Sequence, residues 1–321
     1  MRASQVLVVT GASGFCGSHI ARAAEHAGQN VVCVGRRPGP VGTHLRWDAS
    51  TDGPRELLAG LWGLGARTAT SVVHCAAAVG DVGAPGWFES VNVGGTRAAL
   101  EAANALGASV VMISSASVYD HRAADAAIAE DHDQGGWVTA YGRTKAAADA
   151  LALAAGARVL RPHAVYGPGD RHLLPRVVAA SRGGRLLLPG ADVTLSVTHA
   201  HTLTSAALEA TRWPSGAYNI ADADPVSRDW LLGSAATAAL GRPVRVRSVP
   251  VALLRMVAGA LELAAARTGG APVLTRYAVD QLAHPFVLDI TRARSQGWRP
   301  PGHVEEHLAW LAKQRRGNDS P

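Results

Sequence analysis

Near its start the chain reads Gln5-Val-Leu-Val-Val-Thr10, followed directly by Gly11-Ala-Ser-Gly14-Phe-Cys-Gly17. The apolar, β-branched run is typical of a buried strand, and the alanine-rich residues 18–26 predict a helix. Between a strand and a helix, the first glycine permits a tight turn, the second lets the backbone approach a pyrophosphate, and the third lets the helix pack on the strand. Three such glycines are a weak signal in a chain with 35, so their position between strand and helix gives the pattern its weight.

The rest of the chain repeats this alternation of strands and helices. β-branched runs at residues 31–34, 71–74, 110–114 and 158–160 are separated by helical patterns, among them 93–106 and 141–155. We therefore predict an α/β protein with a Rossmann, doubly wound parallel sheet. We expect a dinucleotide-binding domain at 1–167, rejoined by about 200–222 with a strand at 217–221, and a smaller substrate-binding region at 168–199 and 223–321. Helices are predicted there at 173–182, 229–240 and 251–265.

The end of the second predicted strand indicates which dinucleotide binds. An NAD site places a carboxylate there to bond the ribose 2′-hydroxyl. This chain has Arg36 and Arg37 instead, and two guanidinium groups favour a 2′-phosphate. The expected cofactor is therefore NADP(H) rather than NAD(H). The alternative is a solvated pair of surface arginines that leaves the preference open.

Tyr141 and Lys145 lie four residues apart in a predicted helix and so share one face. A phenol that exchanges protons at neutral pH needs a nearby cation to stabilise its phenolate, and Lys145 could supply it. The spacing predicts a tyrosine acid/base. The alternative is an exposed helix whose two side chains merely reach into solvent.

Composition and charge bear on other classes of protein. With 321 residues, 48% of them hydrophobic, the chain can bury a sizeable core. Its net charge of +6 comes from scattered arginines without a basic block, so no nucleic-acid partner is predicted. Three cysteines without paired spacing indicate reduced thiols. Neither a signal peptide nor a transmembrane segment is predicted, since the most apolar stretch, 249–266, contains Arg255 and Glu262. We expect a cytoplasmic protein, with peripheral membrane contact left open.

One pattern resembles a metal site. His303-Val-Glu-Glu-His307 matches a zinc protease motif with two histidines on one helical face. It lies near the end of the chain in an amphipathic helix, and we identify no third ligand. No metal is therefore predicted.

Together, Thr10-Gly-x-x-Gly-x-x-Gly17, Tyr141-x-x-x-Lys145 and Ser114-Ser-Ala-Ser-Val-Tyr119 resemble the extended short-chain dehydrogenase/reductase superfamily, which includes NAD-dependent epimerases and dehydratases. The resemblance spans nearly the whole chain. It implies a catalytic group, a cofactor-binding group and a substrate-binding group. The catalytic residues are Ser115, Tyr141, Lys145 and Asn92. The cofactor-binding residues are Gly11, Ser13, Gly14, Phe15, Cys16, Gly17, Arg36, Arg37, Asp48, Ala76, Ala77, Tyr141, Lys145, His163 and Val165. The substrate-binding residues are Val79, Ser117, Tyr166 and His172.

Within the superfamily, the segments at 167–176, 272–282 and 289–300 resemble 3β-hydroxysteroid dehydrogenases and 2-alkyl-3-oxoalkanoate reductases. This branch implies an NADPH-dependent ketoreductase or hydroxyl dehydrogenase acting on a small, largely apolar ketone or alcohol. A nucleotide-sugar epimerase or dehydratase with tightly bound NAD is the alternative, and a non-catalytic nucleotide sensor or scaffold is a third possibility. Family analogy also suggests a homodimer through the helices at 93–106 and 141–155. The chain departs from its relatives at Thr198-His-Ala-His-Thr202, where His199 and His201 either pack or contact substrate.

Overall fold

The computed structural model describes residues 6–66, 69, 71–120, 127–171, 173–268, 270, 272–301 and 303–318. The strands are β1 (Val6–Thr10), β2 (Asn30–Gly35), β3 (Thr43–Arg46), β4 (Ser71–His74), β5 (Ser109–Ile113), β6 (Arg158–Pro162), β7 (Val165–Tyr166), β8 (Arg185–Pro189), β9 (Thr194–Leu195), β10 (Thr198–His199), β11 (Gly216–Ile220), β12 (Val226–Ser227) and β13 (Arg245–Val249). The helices are α1 (Phe15–His26), α2 (Pro54–Gly63), α3 (Pro85–Phe88), α4 (Gly95–Ala105), α5 (Ala140–Ala154), α6 (Leu173–Ala180), α7 (Ala200–Glu209), α8 (Arg228–Leu240), α9 (Val251–Thr268), α10 (Arg276–Ala283), α11 (Thr291–Ser295) and α12 (Val304–Asn318). A π-helical segment, Glu89–Gly94, joins α3 to α4.

A seven-stranded parallel sheet forms the centre of the molecule, with the strand order β11-β6-β5-β4-β1-β2-β3. The order reverses direction between β1 and β4, as in doubly wound nucleotide-binding folds. The predicted Rossmann class is therefore confirmed. Because all seven strands run in the same direction, their carboxyl ends meet at one edge of the sheet, where Thr10, His74 and Ile113 end their strands.

Both faces of the sheet are covered by helices. Val8 and Val9 alternate along β1, and their side chains belong to the two different cores. The core on the Val9 side includes Ile20 of α1 and Leu203 of α7. The core on the Val8 side includes residues of α2, α4 and α5. Parallel strands buried on both faces explain why the strand sequences are continuous apolar runs.

The residues after β6 build a second region from shorter pieces. The strand pairs β7 with β10, β9 with β12 and β8 with β13 each form a small two-stranded sheet. Their core includes Leu186 and Leu188 of β8 and Leu231 and Leu232 of α8. The strand predicted at 217–221 is β11, which pairs in parallel with β6 and so lies in the central sheet. The division of the chain into two regions at the predicted boundaries stays a prediction.

The structure adds elements that the sequence patterns did not predict, notably β3 and α7. Strand β3 reads Thr-His-Leu-Arg and lies at the edge of the sheet, where it pairs only with β2. Helix α7 buries Leu203 and Ala206 against α1. In both cases tertiary contacts decide the structure, because the local sequence is too short or too polar to do so. None of the described helices is long and apolar enough to cross a membrane.

Candidate active site

The glycine turn between β1 and α1 has the shape that its sequence predicts. Gly11 has φ +66°, and a Cβ there would lie 2.7 Å from the backbone nitrogen of Ala76. A Cβ on Gly17 would overlap the Gly11 carbonyl oxygen. Gly14 is the N-cap of α1, and no side chain caps the helix. The first backbone N–H groups of α1 are therefore available to an anion, and the turn places them beside the segment that follows β4.

The two arginines that are predicted to determine the cofactor preference lie on the surface at the end of β2. Arg36 and Arg37 follow Gly35 directly and are both exposed. The Ser13 hydroxyl lies near Gly35. Asp48 accepts hydrogen bonds from the Ser50 side chain at 2.6 Å and the Ser50 backbone at 3.0 Å. These bonds lower the pKa of Asp48, and the charge of Arg36 lowers it further. Ser13, Arg36 and Asp48 thus surround one corner of the sheet edge.

Ser115 and Tyr141 meet at the carboxyl end of β5. Ser115 begins a short 3₁₀ turn and accepts the Ser117 backbone N–H at 3.1 Å. Thr139 caps α5, so Tyr141 lies in its first turn. Burial raises the pKa of the Tyr141 phenol, and a hydrogen bond with Ser115 partly offsets this rise. The phenol is therefore protonated at neutral pH, as a proton donor must be.

Lys145 is buried one turn further along α5. Its Nζ donates a hydrogen bond to the Ile113 carbonyl at 2.7 Å. Burial lowers the pKa of Lys145 to about 8, while the nearby carboxylate of Asp149 acts in the opposite direction. The Lys145 ammonium donates to a carbonyl of β5, and burial dominates the pKa of the Tyr141 phenol, so the predicted stabilisation of the phenolate by Lys145 stays a prediction.

Asn92 lies in the π-helical segment and fixes its surroundings. Its Oδ1 accepts the Ala78 backbone N–H at 2.7 Å, and its Nδ2 donates to the Ala78 carbonyl at 3.2 Å and the Thr144 hydroxyl at 3.0 Å. The side chain thereby ties the segment that contains Ala76 and Ala77 to the residue before Lys145. The structure assigns Asn92 these positioning contacts, and its predicted part in proton transfer stays a prediction.

The loop after β6 is held under strain. Ala164 has φ 45°, a left-handed conformation that costs an L-residue with a side chain roughly 1–2 kcal/mol. His163 before it binds the Ser196 carbonyl through Nδ1 at 2.6 Å, and its backbone N–H donates to the Thr198 hydroxyl. Burial lowers the pKa of His163 to about 4. Val165 pairs with Thr198. The neighbouring strand therefore imposes the loop conformation, as is common at functional sites.

A cavity of about 170 Å³ lies beside the catalytic residues. Its lining includes Ser117 and Gly142 on one side and Tyr277 of α10 on the other. Burial raises the pKa of Tyr277, and interaction with Tyr141 raises it further. Trp137 and Val138 extend the wall with apolar surface that is partly exposed. Interaction with the Ser117 hydroxyl opposes the rise in the pKa of Tyr141. The Ser117 Oγ is buried and makes no hydrogen bond of ordinary geometry with the described residues. Its predicted contact with substrate stays a prediction.

The other predicted substrate residues lie elsewhere. Val79 is 51% exposed in the loop after β4, two residues before Asp81, which accepts a hydrogen bond from Thr275 at the start of α10. Tyr166 is buried, and its hydroxyl donates to Asp222 at 2.6 Å. Tyr166 is not part of the cavity lining beside Tyr141. His172 lies outside the described residues.

A buried polar network beneath the site was not predicted. Asp149 of α5 accepts a hydrogen bond from Ser114 at 2.7 Å and forms a two-point ion pair with Arg161 at 2.7 and 3.0 Å. Arg161 also donates to the Tyr119 hydroxyl, which in turn donates to Asn219 of β11. The network joins the ends of β5, β6 and β11 to the catalytic helix. One signal was present in the sequence, because Asp149 follows Tyr141 and Lys145 at a second four-residue interval on the same helical face.

The residues at this edge of the sheet fit a dinucleotide. Added side chains at Gly11 and Gly17 would fill the turn, the end of α1 is uncapped, and Lys145 and Cys16 lie close enough to interact. These groups suit a dinucleotide whose pyrophosphate lies at the start of α1 and whose nicotinamide ring reaches Tyr141. The glycine turn, the residues after β4 and the start of α5 would hold such a cofactor.

Comparisons with known proteins agree with this site. Residues 7–221 match the NAD dependent epimerase/dehydratase family. The chain is 29% identical over 331 residues to 2-alkyl-3-oxoalkanoate reductase of Stenotrophomonas maltophilia (strain K279a), covering 95% of this chain and 98% of that one. It is also 29% identical over 192 residues to 3beta-hydroxysteroid-dehydrogenase/decarboxylase isoform 1 of Arabidopsis thaliana, covering 52% and 44%.

Among solved structures, MoeE5 in complex with UDP-glucose and NAD is 27% identical. Its TM-score is 0.70, with 98% of this chain and 99% of that one covered. UDP-glucose 4-epimerase from Thermotoga maritima has a TM-score of 0.76 at 18% identity, which shows a shared fold. The family match spans most of the Rossmann sheet and contains the glycine turn, Ser115, Tyr141 and Lys145. The chain belongs to the NAD dependent epimerase/dehydratase family and is an NAD(P)-dependent oxidoreductase of the extended short-chain dehydrogenase/reductase type.

Proposed function

We propose that the chain is an NADPH-dependent ketoreductase or hydroxyl dehydrogenase. Its substrate would be the carbonyl or secondary alcohol of a small, largely apolar molecule such as a steroid-like, 3-oxoacyl or secondary-metabolite ketone. The observation that carries the proposal is the exposed pair Arg36 and Arg37 at the end of β2, where an NAD site would place a carboxylate. The similarity to a 2-alkyl-3-oxoalkanoate reductase over nearly the full length supports it.

The side chains at the end of β5 can carry out the proton transfer. A ketone oxygen between Ser115 and Tyr141 would accept a hydrogen bond from the serine and a proton from the phenol, which is neutral at pH 7. Lys145 would hold a positive charge behind the phenol and stabilise the phenolate that forms. The cofactor, when bound, supplies the hydride for the carbonyl carbon. Together the hydride and the proton convert the ketone to an alcohol, and the reverse direction uses the phenolate as base.

The first test is oxidation of NADPH and of NADH by the purified protein against a panel of 3-ketosteroids, 3-oxoacyl compounds and polyketide-like ketones. We expect turnover with NADPH and little with NADH. In an Arg36→Ala/Arg37→Ala variant, KM for NADPH should rise roughly 10- to 100-fold, because the two exposed guanidinium groups would share one phosphate and together contribute about the 1.5–3 kcal/mol of one charge-assisted contact. Arg212→Ala is the control, since it removes an exposed arginine near the opposite edge of the sheet. Equal turnover with both cofactors would remove the NADPH assignment.

A second function is favoured by one observation. MoeE5, which binds UDP-glucose and NAD in its structure, resembles the chain at 27% identity over nearly its whole length. A nucleotide-sugar epimerase or dehydratase returns its hydride within each cycle and retains its cofactor. Denaturing the purified protein and identifying the released nucleotide separates the two functions. Stoichiometric NAD, with conversion of a nucleotide sugar such as UDP-glucose and no net oxidation or reduction of the bound cofactor, would establish the second.

Dimerisation through α4 and α5 stays a proposal based on family analogy. Helix α5 exposes Ala147 and Ala150 on its outer face, and small side chains there would allow close packing. Sedimentation equilibrium with Ala147→Glu, which adds a charge to this face, tests it. A dimeric wild type and a monomeric variant are expected.

A further inference from the structure

Five histidines from three distant parts of the chain gather behind the loop that follows β6. His19 belongs to α1, His199 ends β10, and His201 lies in the first turn of α7. His303 directly precedes α12, and His307 lies within it. The rings of His199 and His201 are 4.9 Å apart, those of His199 and His303 are 4.7 Å apart, and those of His201 and His303 are 5.5 Å apart. The cluster is separate from the cavity beside Tyr141, whose lining contains none of these residues.

We propose that His199, His201 and His303 bind one divalent transition metal ion of the zinc class. One ring nitrogen from each of the three lies within 4.8 Å of the others, which is a candidate metal-binding arrangement in the described part of the chain. In a tetrahedral zinc site with Zn–N bonds of about 2.0–2.1 Å, ligand nitrogens are about 3.4 Å apart. The histidines therefore need to approach one another by about 1.4 Å at most. Three imidazoles suit zinc, copper, nickel and iron rather than calcium or magnesium.

The three histidines differ in burial, so the two less buried side chains can move the short distance that binding an ion requires. His199 is buried, and its backbone N–H donates to Asp222 at 2.9 Å, which fixes its position. His201 is exposed, and the His303 side chain is 18% exposed at the start of a helix. The exposed side of His201 also leaves room for a water molecule as a fourth ligand. Such an open fourth position is usual when a protein supplies three ligands to zinc.

A carboxylate supports one of the ligands. Glu306 Oε2 lies 3.1 Å from Nδ1 of His303. A carboxylate on one nitrogen of a metal-binding histidine fixes the ring orientation and the tautomer, so that the other nitrogen presents its lone pair. In the sequence this glutamate lies within His303-Val-Glu-Glu-His307, the stretch that matches a zinc protease motif. Its contact with His303 gives it an orienting role instead.

Packing alone explains the cluster less well. His307 is buried with the centre of its ring 5.4 Å from that of His199, and its Nδ1 has no hydrogen-bond partner. Buried polar atoms without partners are uncommon, and a water molecule beside the cluster would satisfy this one. The ring of His307 stacks on Trp310 and contacts Tyr166, so it forms the wall of the site rather than a ligand.

A metal here would join α12 to the strand that supports the cofactor loop. A Cβ on Gly167, in the loop after β7, would lie 3.3 Å from Nε2 of His199, and β10 pairs with β7. His19 of α1 contacts the carbonyl of Pro168 at 2.8 Å. The ion would thus connect the end of the chain to the back of the nucleotide-binding loops. Its expected function is structural.

The test uses the full chain without a polyhistidine tag, stripped with a chelator and titrated with Zn²⁺ and Co²⁺. We expect one ion per chain, visible absorption typical of tetrahedral cobalt, and a rise in Tm with Zn²⁺. His201→Ala and His303→Ala should each weaken Zn²⁺ binding more than 100-fold, which exceeds the roughly 10- to 100-fold that an orienting partner contributes. Glu306→Gln should fall within that 10- to 100-fold range. His26→Ala removes an exposed histidine outside the cluster and should change nothing.

Measuring Tm in the metal-free state keeps a folding defect distinct from loss of a ligand. Because His201 is exposed, the metal-free His201→Ala variant should melt with the metal-free wild type. Zn²⁺ should then raise the Tm of the wild type alone. The proposal is overturned if the wild type binds no ion with one-to-one stoichiometry. It is also overturned if the His201→Ala/His303→Ala variant binds Zn²⁺ as tightly as the wild type does.

Discussion

The central sheet and the region of helices α9 and α10 differ in how far they bury their apolar side chains. Val8, Val9 and Val111 in the sheet are completely buried. Along the 18 residues of α9, Ala258 is the one buried residue, whereas Leu253, Met256 and Val257 are 46%, 66% and 41% exposed. Tyr141 and Lys145 are held on the first region, and Tyr277 approaches them from the second. We therefore expect the tightly packed sheet to fix the catalytic residues and the more loosely packed helices α9 and α10 to supply substrate contacts.

Equal substitutions in the two regions should therefore have unequal effects. Tyr141→Phe should lower kcat by 10² to 10⁴, about 3–5 kcal/mol, because it removes the proton donor. Tyr277→Phe removes a phenol from the cavity wall and should change KM more than kcat, by less than about tenfold. Steady-state kinetics with the best ketone of the panel compare the two. If Tyr141→Phe kept more than a tenth of the activity, it would not be the acid.

Two ion pairs, one in each region, should contribute differently to the free energy of unfolding. Removing the carboxylate in Asp149→Ala leaves Arg161 buried without its partner and should cost about 3–5 kcal/mol of the free energy of unfolding. Asp280→Ala in α10 breaks a partly exposed pair with Arg255 and should cost at most about 1 kcal/mol. Urea denaturation followed by circular dichroism measures both. Equal losses would show that the two regions are packed alike.

Valine-to-alanine substitutions compare the packing of the two regions with uncharged side chains. Val111→Ala deletes two methyl groups from the sheet core and should cost roughly 2–3 kcal/mol, including the cavity it leaves. Val257→Ala on α9 should stay within about 0.5 kcal/mol of wild type. The free energies of unfolding come from the same urea experiment. A large loss for Val257→Ala would mean that a partner covers α9 in solution.

The chain has two lysines, Lys145 in α5 and Lys313 in α12, and they allow a test of pH dependence. Burial lowers the pKa of Lys145 to about 8, so the ammonium is present below that pH and is lost as the pH rises through it. We expect kcat/KM for ketone reduction to be level below pH 8 and to fall above it, by up to about tenfold per pH unit. Lys145→Met should lower the rate and abolish this step. Lys313→Met, which changes an exposed residue of α12, should leave the profile as it is. A step that persists in Lys145→Met would belong to another group.

The features that could be predicted from the sequence are those whose interacting residues lie close together along the chain. The glycine turn and the helix face with Tyr141 and Lys145 depend on neighbours a few residues away, so local spacing revealed them. The network of Asp149, Arg161, Tyr119 and Asn219 includes a hydrogen bond between residues 100 positions apart, and only Asp149 carried a local signal. The histidine cluster is the extreme case. His303 had no visible third ligand in the sequence because its neighbours, His199 and His201, lie about a hundred residues earlier.

The position of β11 has a consequence for how the protein is made. Strand β6 ends at Pro162, but its partner on one side, β11, spans Gly216–Ile220. During synthesis, β6 therefore presents an unpaired edge until more than fifty further residues have left the ribosome, and open edges of this kind recruit other chains. A truncated product that stops at residue 167 would keep the catalytic residues and still lack a closed sheet. We expect such a fragment to aggregate, whereas a fragment that extends through residue 222 should be far more soluble.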